Sequence, residues 1–298
     1  MKFIKELFRK RKSVKVSANW NDFVFPADIL HPKALGVFSS GDISDAWASI
    51  YMAKALQVAY PSTQIHIVIH QNVAEFADFL PWTPAVHVYT NSSHSFNPPL
   101  PENILFFSPM PGDELLSFIN NYKPSACVSF EKHAAVNVTV KIANEKTTLP
   151  NKISEMIKIL KLETENTWKP AVPNILSEKA SSILSPVSHR TLPYIFATES
   201  AALILEKKRA EIPLKIVLVD GKASNIPSEI SNGMLAAMVG GASVVATTRL
   251  DLWIHAKAQG IPVVGIDRKD QFKGWGGDPA KGDTKFLENW ANLIRTGW

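Results

Sequence analysis

The chain of 298 residues contains one cysteine, Cys127. That excludes a disulfide framework within the chain and fits a reducing compartment. Cys127 lies in the apolar run Ala126-Cys127-Val128-Ser129-Phe130, which reads as a buried structural thiol rather than a nucleophile. No apolar run approaches the ~20 residues of a membrane-spanning helix, and the first residues lack the apolar stretch of a signal peptide. The expectation is a cytoplasmic protein. Several chemical signatures are also missing: there is no G-x-x-x-x-G-K-[ST] loop, no G-x-G-x-x-G, no G-x-S-x-G and no H-E-x-x-H. His66 and His70 are four apart in a strand-like run, which places them on one face, and the other histidines are scattered. A metal site is not expected.

Excess positive charge is confined to one place. The net charge is +5, from 32 Lys/Arg and 27 Asp/Glu. Residues 1–16 hold seven basic residues (Lys2, Lys5, Arg9, Lys10, Arg11, Lys12, Lys15) against Glu6 alone, which leaves 25 basic and 26 acidic residues in the rest. A neutral body argues against a nucleic-acid-binding role. The arm also carries Phe3, Ile4, Leu7 and Phe8 at helical spacing. An apolar stripe beside Lys/Arg suits peripheral contact with the anionic inner face of a membrane; a solvated leader accounts for the same residues.

What the chain does have is alternation. Ala34–Phe38, Ile65–Ile69, Ile104–Ser108 and Ala126–Phe130 read as buried strands, with helices over Ile43–Tyr60 and Gly112–Tyr122. Such alternation implies βαβ units and a mainly parallel sheet. At Trp168-Lys169-Pro170-Ala171-Val172-Pro173 two prolines make a stiff connection. A second series follows, with strands at Tyr194–Thr198, Lys215–Val219, Ser243–Thr247 and Val263–Ile266. Its helices fall near Ala201–Ala210, Ser228–Val239, Leu252–Gln259 and Asp283–Arg295. The length is comfortable for two α/β domains. The fold class expected is therefore α/β, with two Rossmann-like doubly wound domains facing a cleft. The arm is 1–16, the first domain 17–167 and the second 168–298.

Open α/β sheets bind ligands at the carboxyl ends of their strands. Ser39-Ser40-Gly41-Asp42 occupies that position between the first strand and its helix. Asp42 suits a general base, with Ser39, Ser40 and Gly41 lining an acceptor site. Asp42 also suits a helix N-cap, and Asp45 could complete a weak capping box. Gly41 could allow close backbone approach by a ligand or simply a positive φ. In the second series the loop Thr247-Thr248-Arg249-Leu250-Asp251 holds the same position, where helix N–H groups, hydroxyls and a guanidinium suit a phosphate. A plain crossover with Asp251 as N-cap and Gly260 as C-cap uses the same residues. The Gly-rich, charged loop Asp267–Gly277, containing Lys273, has the composition of a binding-site loop.

Three stretches of the first half resemble glycosyltransferase family 9, the ADP-heptose:lipopolysaccharide heptosyltransferases and their relatives. They are Leu35-Gly-Val-Phe-Ser-Ser-Gly-Asp-Ile-Ser-Asp-Ala-Trp47, Met52–Pro61 and Gln64–Ile69. In the second half Gly241–Ala246, Ala258–Val264 and Lys273-Gly274-Trp275 resemble the donor-binding region of that family. The resemblance implies a GT-B fold and metal-independent transfer of a sugar from a nucleotide diphosphate to a lipopolysaccharide or other surface glycan, free or lipid-linked. The sugar nucleotide is then a substrate, and no cofactor is implied. Asp42 matches the aspartate proposed as base, and Thr247, Thr248, Arg249, Asp251 and Lys273 fall in the donor region. The chain departs from the pattern where Arg249-Leu250-Asp251 stands in place of Asp-[ST]-Gly and Ile254 in place of histidine, with His255 one position away. A degenerate GT-B protein that binds a glycan or a protein is therefore an alternative reading. Thr248-Arg249-Leu250 is also similar to polysaccharide pyruvyltransferases, whose Arg-Leu-His pattern is here Arg-Leu-Asp.

Overall fold

The computed structural model describes residues 32–90, 96, 98–160, 168–188, 193–267, 272 and 274–297. The basic arm, 1–16, and Lys273 lie outside the described residues. The chain divides into two compact units between Trp168 and Lys169. Each is built on its own parallel sheet.

The first unit runs β1 (Leu35–Ser39), α1 (Ile43–Ala59), β2 (Ile65–His70), a 3-10 helix (Gln71–Phe79), β3 (Ala85–Tyr89), β4 (Leu105–Phe107), α2 (Asp113–Tyr122), β5 (Ala126–Ser129), β6 (Val138–Thr139) and α3 (Leu149–Ile159). The six strands lie in the order β3-β2-β1-β4-β5-β6, all parallel. β1 and β2 are buried at every position, which is why they read as continuous apolar runs rather than as an alternation. Gly36 has a packing reason: a Cβ there would stand 2.5 Å from the Phe106 ring and 2.9 Å from Ile104 Cδ1. Behind them Phe38, Phe106, Phe118 and Tyr89 form one aromatic core with Cys127, whose thiol burial raises far above its ordinary range.

Lys169 opens the second unit, which runs α4 (Asn174–Ser188), β7 (Tyr194–Ala197), α5 (Glu199–Lys207), β8 (Lys215–Leu218), α6 (Asn232–Gly240), β9 (Val244–Thr247), α7 (Leu250–Gln259), β10 (Val263–Gly265) and α8 (Asp283–Thr296). Its four strands lie in the order β10-β9-β7-β8, again parallel. The helix α6 is buried from Gly233 to Val239, and Ser231 caps it by accepting from the Met234 N–H at 3.2 Å. On α8 only one stripe is covered: Phe286 and Trp290 enter the core, and the indole N–H donates to the Glu211 carbonyl at 2.9 Å.

Both sheets reverse direction once. In the first, β1 leads outward through β2 to β3, and the chain then returns to β4 on the other side of β1. In the second, β7 leads to β8 and the chain returns to β9 on the other side of β7. The crevices at the carboxyl ends of β1/β4 and β7/β9 are therefore the places where such sheets hold ligands.

Candidate functional site

At the first reversal the turn after β1 presents Asp42. Its backbone is extended (φ −82°, ψ 137°), and its Oδ1 accepts from the N–H groups of Ser44 (2.7 Å) and Asp45 (3.2 Å). Asp42 is thus an N-cap, and it remains exposed. The capping box takes another form than the sequence suggests. Asp45 is buried and its carboxylate accepts from Ser40 N–H at 2.5 Å, rather than from Asp42. Burial, more than the nearby charges of Asp42 and Glu114, pushes the Asp45 carboxyl up to about 7. Gly41 has no positive φ, and a Cβ there would stand 3.1 Å from His70 Nδ1, a contact within the protein. Ser39 is buried, its hydroxyl donating to the Ser40 carbonyl, and its own carbonyl accepts from the Tyr89 hydroxyl at 3.2 Å. His70, at the end of β2, packs edge-on against Tyr89. Glu114 stands exposed in the first turn of α2, beyond β4.

At the second reversal the structure joins two loops. Thr198 Oγ1, after β7, accepts from Thr248 N–H at 3.2 Å, and the Ser200 and Thr248 hydroxyls are 2.8 Å apart. Thr247 is fully buried; its hydroxyl accepts from Arg249 N–H at 2.8 Å and shapes the turn. The N-cap of α7 is Arg249, not Asp251. Asp251 instead grips the guanidinium with both oxygens, at 3.1 Å from Nε and 2.5 Å from the nearer terminal nitrogen, and Asp220 adds a third contact at 3.7 Å. Burial alone would raise the Asp251 carboxyl, but the bond to Arg249 and its charge outweigh it and hold the group below its ordinary range. Gly260 closes α7 in the left-handed region (φ 67°), as a C-cap glycine does. His255 is buried one turn beyond Asp251, and burial lowers its pKa to about 4, so its ring is neutral near pH 7.

No family model and no curated protein matches the chain. Solved structures do. E. coli heptosyltransferase WaaC with ADP matches with a TM-score of 0.62 at 12% identity, over 89% of this chain and 100% of that one. The glycosyl transferase family 9 protein of Veillonella parvula matches at 0.61 and 12%, over 84% and 85%. E. coli ADP-heptose lps heptosyltransferase II matches at 0.58 and 10%, over 88% and 99%. The fold is the GT-B fold of the heptosyltransferases.

Two sheets of the GT-B kind therefore each carry a polar turn at their reversal. The first offers a solvent-exposed carboxylate on a rigid strand end, which suits proton abstraction from a hydroxyl. The second offers three hydroxyls at the starts of α5 and α7, beside helix N–H groups of which Glu199 N–H already donates to Asp220 Oδ1 at 2.7 Å and Arg249 N–H to Thr247 Oγ1 at 2.8 Å. The structure places Asp42 at the first reversal and Thr247, Thr248, Arg249 and Asp251 at the second, where the sequence put them; Asp45 was named only as a capping partner, and Tyr89, Glu114, Thr198, Ser200 and Asp220 were not named. Thr198 and Ser200 had a signal: they follow β7 as Thr248 and Arg249 follow β9. Among the described residues no group of three or more potential metal ligands occurs.

Proposed function

We propose that this chain transfers a sugar from a nucleotide diphosphate to a hydroxyl of a cell-envelope glycan. The observation that carries the reading is Asp42, an exposed carboxylate at the carboxyl end of β1 beside the sheet reversal, in a GT-B fold. Asp42 accepts the proton of the acceptor hydroxyl as its oxygen attacks the anomeric carbon. The bond from that carbon to the donor phosphate breaks, and the nucleoside diphosphate leaves with the electron pair. Within the second unit Thr248, Ser200 and Thr198 supply the hydroxyls for the donor diphosphate, since the Glu199 and Arg249 N–H groups are already bonded to Asp220 and Thr247. WaaC has been solved with ADP and with an ADP-heptose analogue, which makes ADP-sugars the first donors to test.

A second reading has its own observation. The Arg249 guanidinium already faces two carboxylates, so it brings little free positive charge to a diphosphate. A GT-B protein that binds a glycan without transferring sugar fits that arrangement. Thermal melts with ADP-, UDP-, GDP- and CMP-sugars separate the two. A donor stabilises the fold by linkage, by about 2.7 kcal/mol at a hundredfold excess over Kd, and so raises Tm, whereas a binding module responds to none of the panel.

A further inference from the structure

The turn that presents Asp42 is held from beneath by Asp45, which is 2% exposed. Ser40 N–H donates to Asp45 Oδ2 at 2.5 Å, while Asp45 N–H donates to Asp42 Oδ1 at 3.2 Å. Each carboxylate grips the backbone on the far side of the turn from itself. Asp45 is tied further into the core through Ser49, whose hydroxyl stands 3.5 Å from Asp45 Oδ1 and donates to the Phe38 carbonyl at 3.1 Å. Phe38 belongs to β1, so one chain of contacts links the strand, the turn and the helix.

Stability does not explain a carboxylate here. A buried charge is costly, and an asparagine oxygen could accept the same Ser40 N–H. Nor is Asp45 alone: Asp42 in the turn and Glu114 on α2 both act on it with like charge, and Tyr89 on β3 feels both Asp45 and Glu114. His70 on β2 packs against the other side of Gly41.

We propose that Asp45 is a positioning residue for sugar transfer, setting the orientation and the charge environment of Asp42 through the turn that they share. The inference rests on Asp42 being the base. When Asp45 is ionised, its bond to Ser40 N–H is charge-assisted and the turn is pinned. When Asp45 is protonated, that bond loses its charge assistance and the pinning weakens. Burial places its titration near pH 7, so the change falls in the working range.

The test joins kinetics to a spectroscopic titration. The turnover number and donor KM are measured from pH 5 to 9 for the native chain and for Asp45→Asn. In parallel, 13C-carboxyl NMR follows the aspartates in both and in Asp42→Asn. The native kcat should fall below pH ~7. Asp45→Asn should lose that limb and turn over about tenfold more slowly at pH 8, with donor KM within about twofold. One carboxyl should titrate near pH 7, disappear in Asp45→Asn and move lower in Asp42→Asn. An unchanged limb in Asp45→Asn overturns the proposal, and so does an equal loss at every pH, the mark of a merely structural role. The Asp42→Asn titration leaves Asp45 in place, so it carries the test even where Asp45→Asn fails to fold. A midpoint that stays put overturns the coupling. A native chain that transfers no sugar, yet shows the midpoint move, defeats the transferase reading while the pairing stands.

Discussion

Asp42 has two duties that a single substitution confounds. As the N-cap of α1 it satisfies the N–H groups of Ser44 and Asp45; as the proposed base it needs only its charge and exposure. Asparagine caps about as well as aspartate, whereas alanine loses about 1 kcal/mol. Asp42→Asn should therefore keep its Tm and lose transfer by roughly 10²–10⁴-fold, while Asp42→Ala loses both. Thermal melts beside a radiolabelled-sugar assay check the split, and full turnover in Asp42→Asn would leave the residue a cap only. Asp45 inverts the usual trade. Its pKa is raised by the fold from 3.8 to about 7, so the protonated form is the one that folding favours. Its contribution is complete below pH ~4 and lost as the pH climbs through 7, at a cost on the order of 4 kcal/mol. Asp45→Asn should accordingly gain Tm over the native chain at pH 8 relative to pH 4.5. A constant difference between the two pH values would contradict it.

The elements were more legible than the sites. Strands β1, β2, β4 and β5 stood out because parallel strands covered on both faces are unbroken apolar runs, and Gly260 marked the end of α7. β3 did not stand out. It lies at the sheet edge, where Val86 and Val88 are 37% and 46% exposed and His87 faces inward, so its pattern is neither an apolar run nor a clean alternation. The helix α4 was hidden behind Pro170 and Pro173, which read as a linker, although Pro173 precedes its first turn and Leu176, Ala180 and Leu184 form its buried stripe. Asp42 was found because it is local to a strand end. Asp45's true partner, Ser40, is on the far side of the turn, and Ser200 meets Thr248 from 48 positions away. The second pairing follows from strand order, which one sequence does not display, whereas the first is local and depends on the path of the turn. At Gly36 packing decides the residue. Gly36→Ala drives a methyl into Phe106 and Ile104, and should cost about 1–3 kcal/mol in a denaturant titration. An unchanged midpoint would mean that the two side chains move aside freely.

For the molecule as a whole, charge is the property that a single deletion can test. The +5 of the chain is the +6 of residues 1–16 set against a body of 25 basic and 26 acidic residues. Among the described residues no helix is long and apolar enough to cross a membrane. We propose that the arm holds the chain to a bilayer surface. Near an anionic leaflet each Lys or Arg contributes about 1 kcal/mol, falling off within a Debye length of ~10 Å at 0.1 M salt. Phe3, Ile4, Leu7 and Phe8 would add burial that salt does not screen. Deletion of residues 1–16 should therefore release the protein from phosphatidylserine-containing vesicles in a flotation assay. Raising salt to ~0.5 M should weaken binding of the full chain without abolishing it. Equal flotation of the two chains would place the membrane contact elsewhere, and complete release by salt would show that the apolar stripe stays out of the bilayer. On the proposed transfer to a membrane-anchored acceptor, loss of the arm should also slow transfer to a lipid-linked acceptor while sparing transfer to a soluble one.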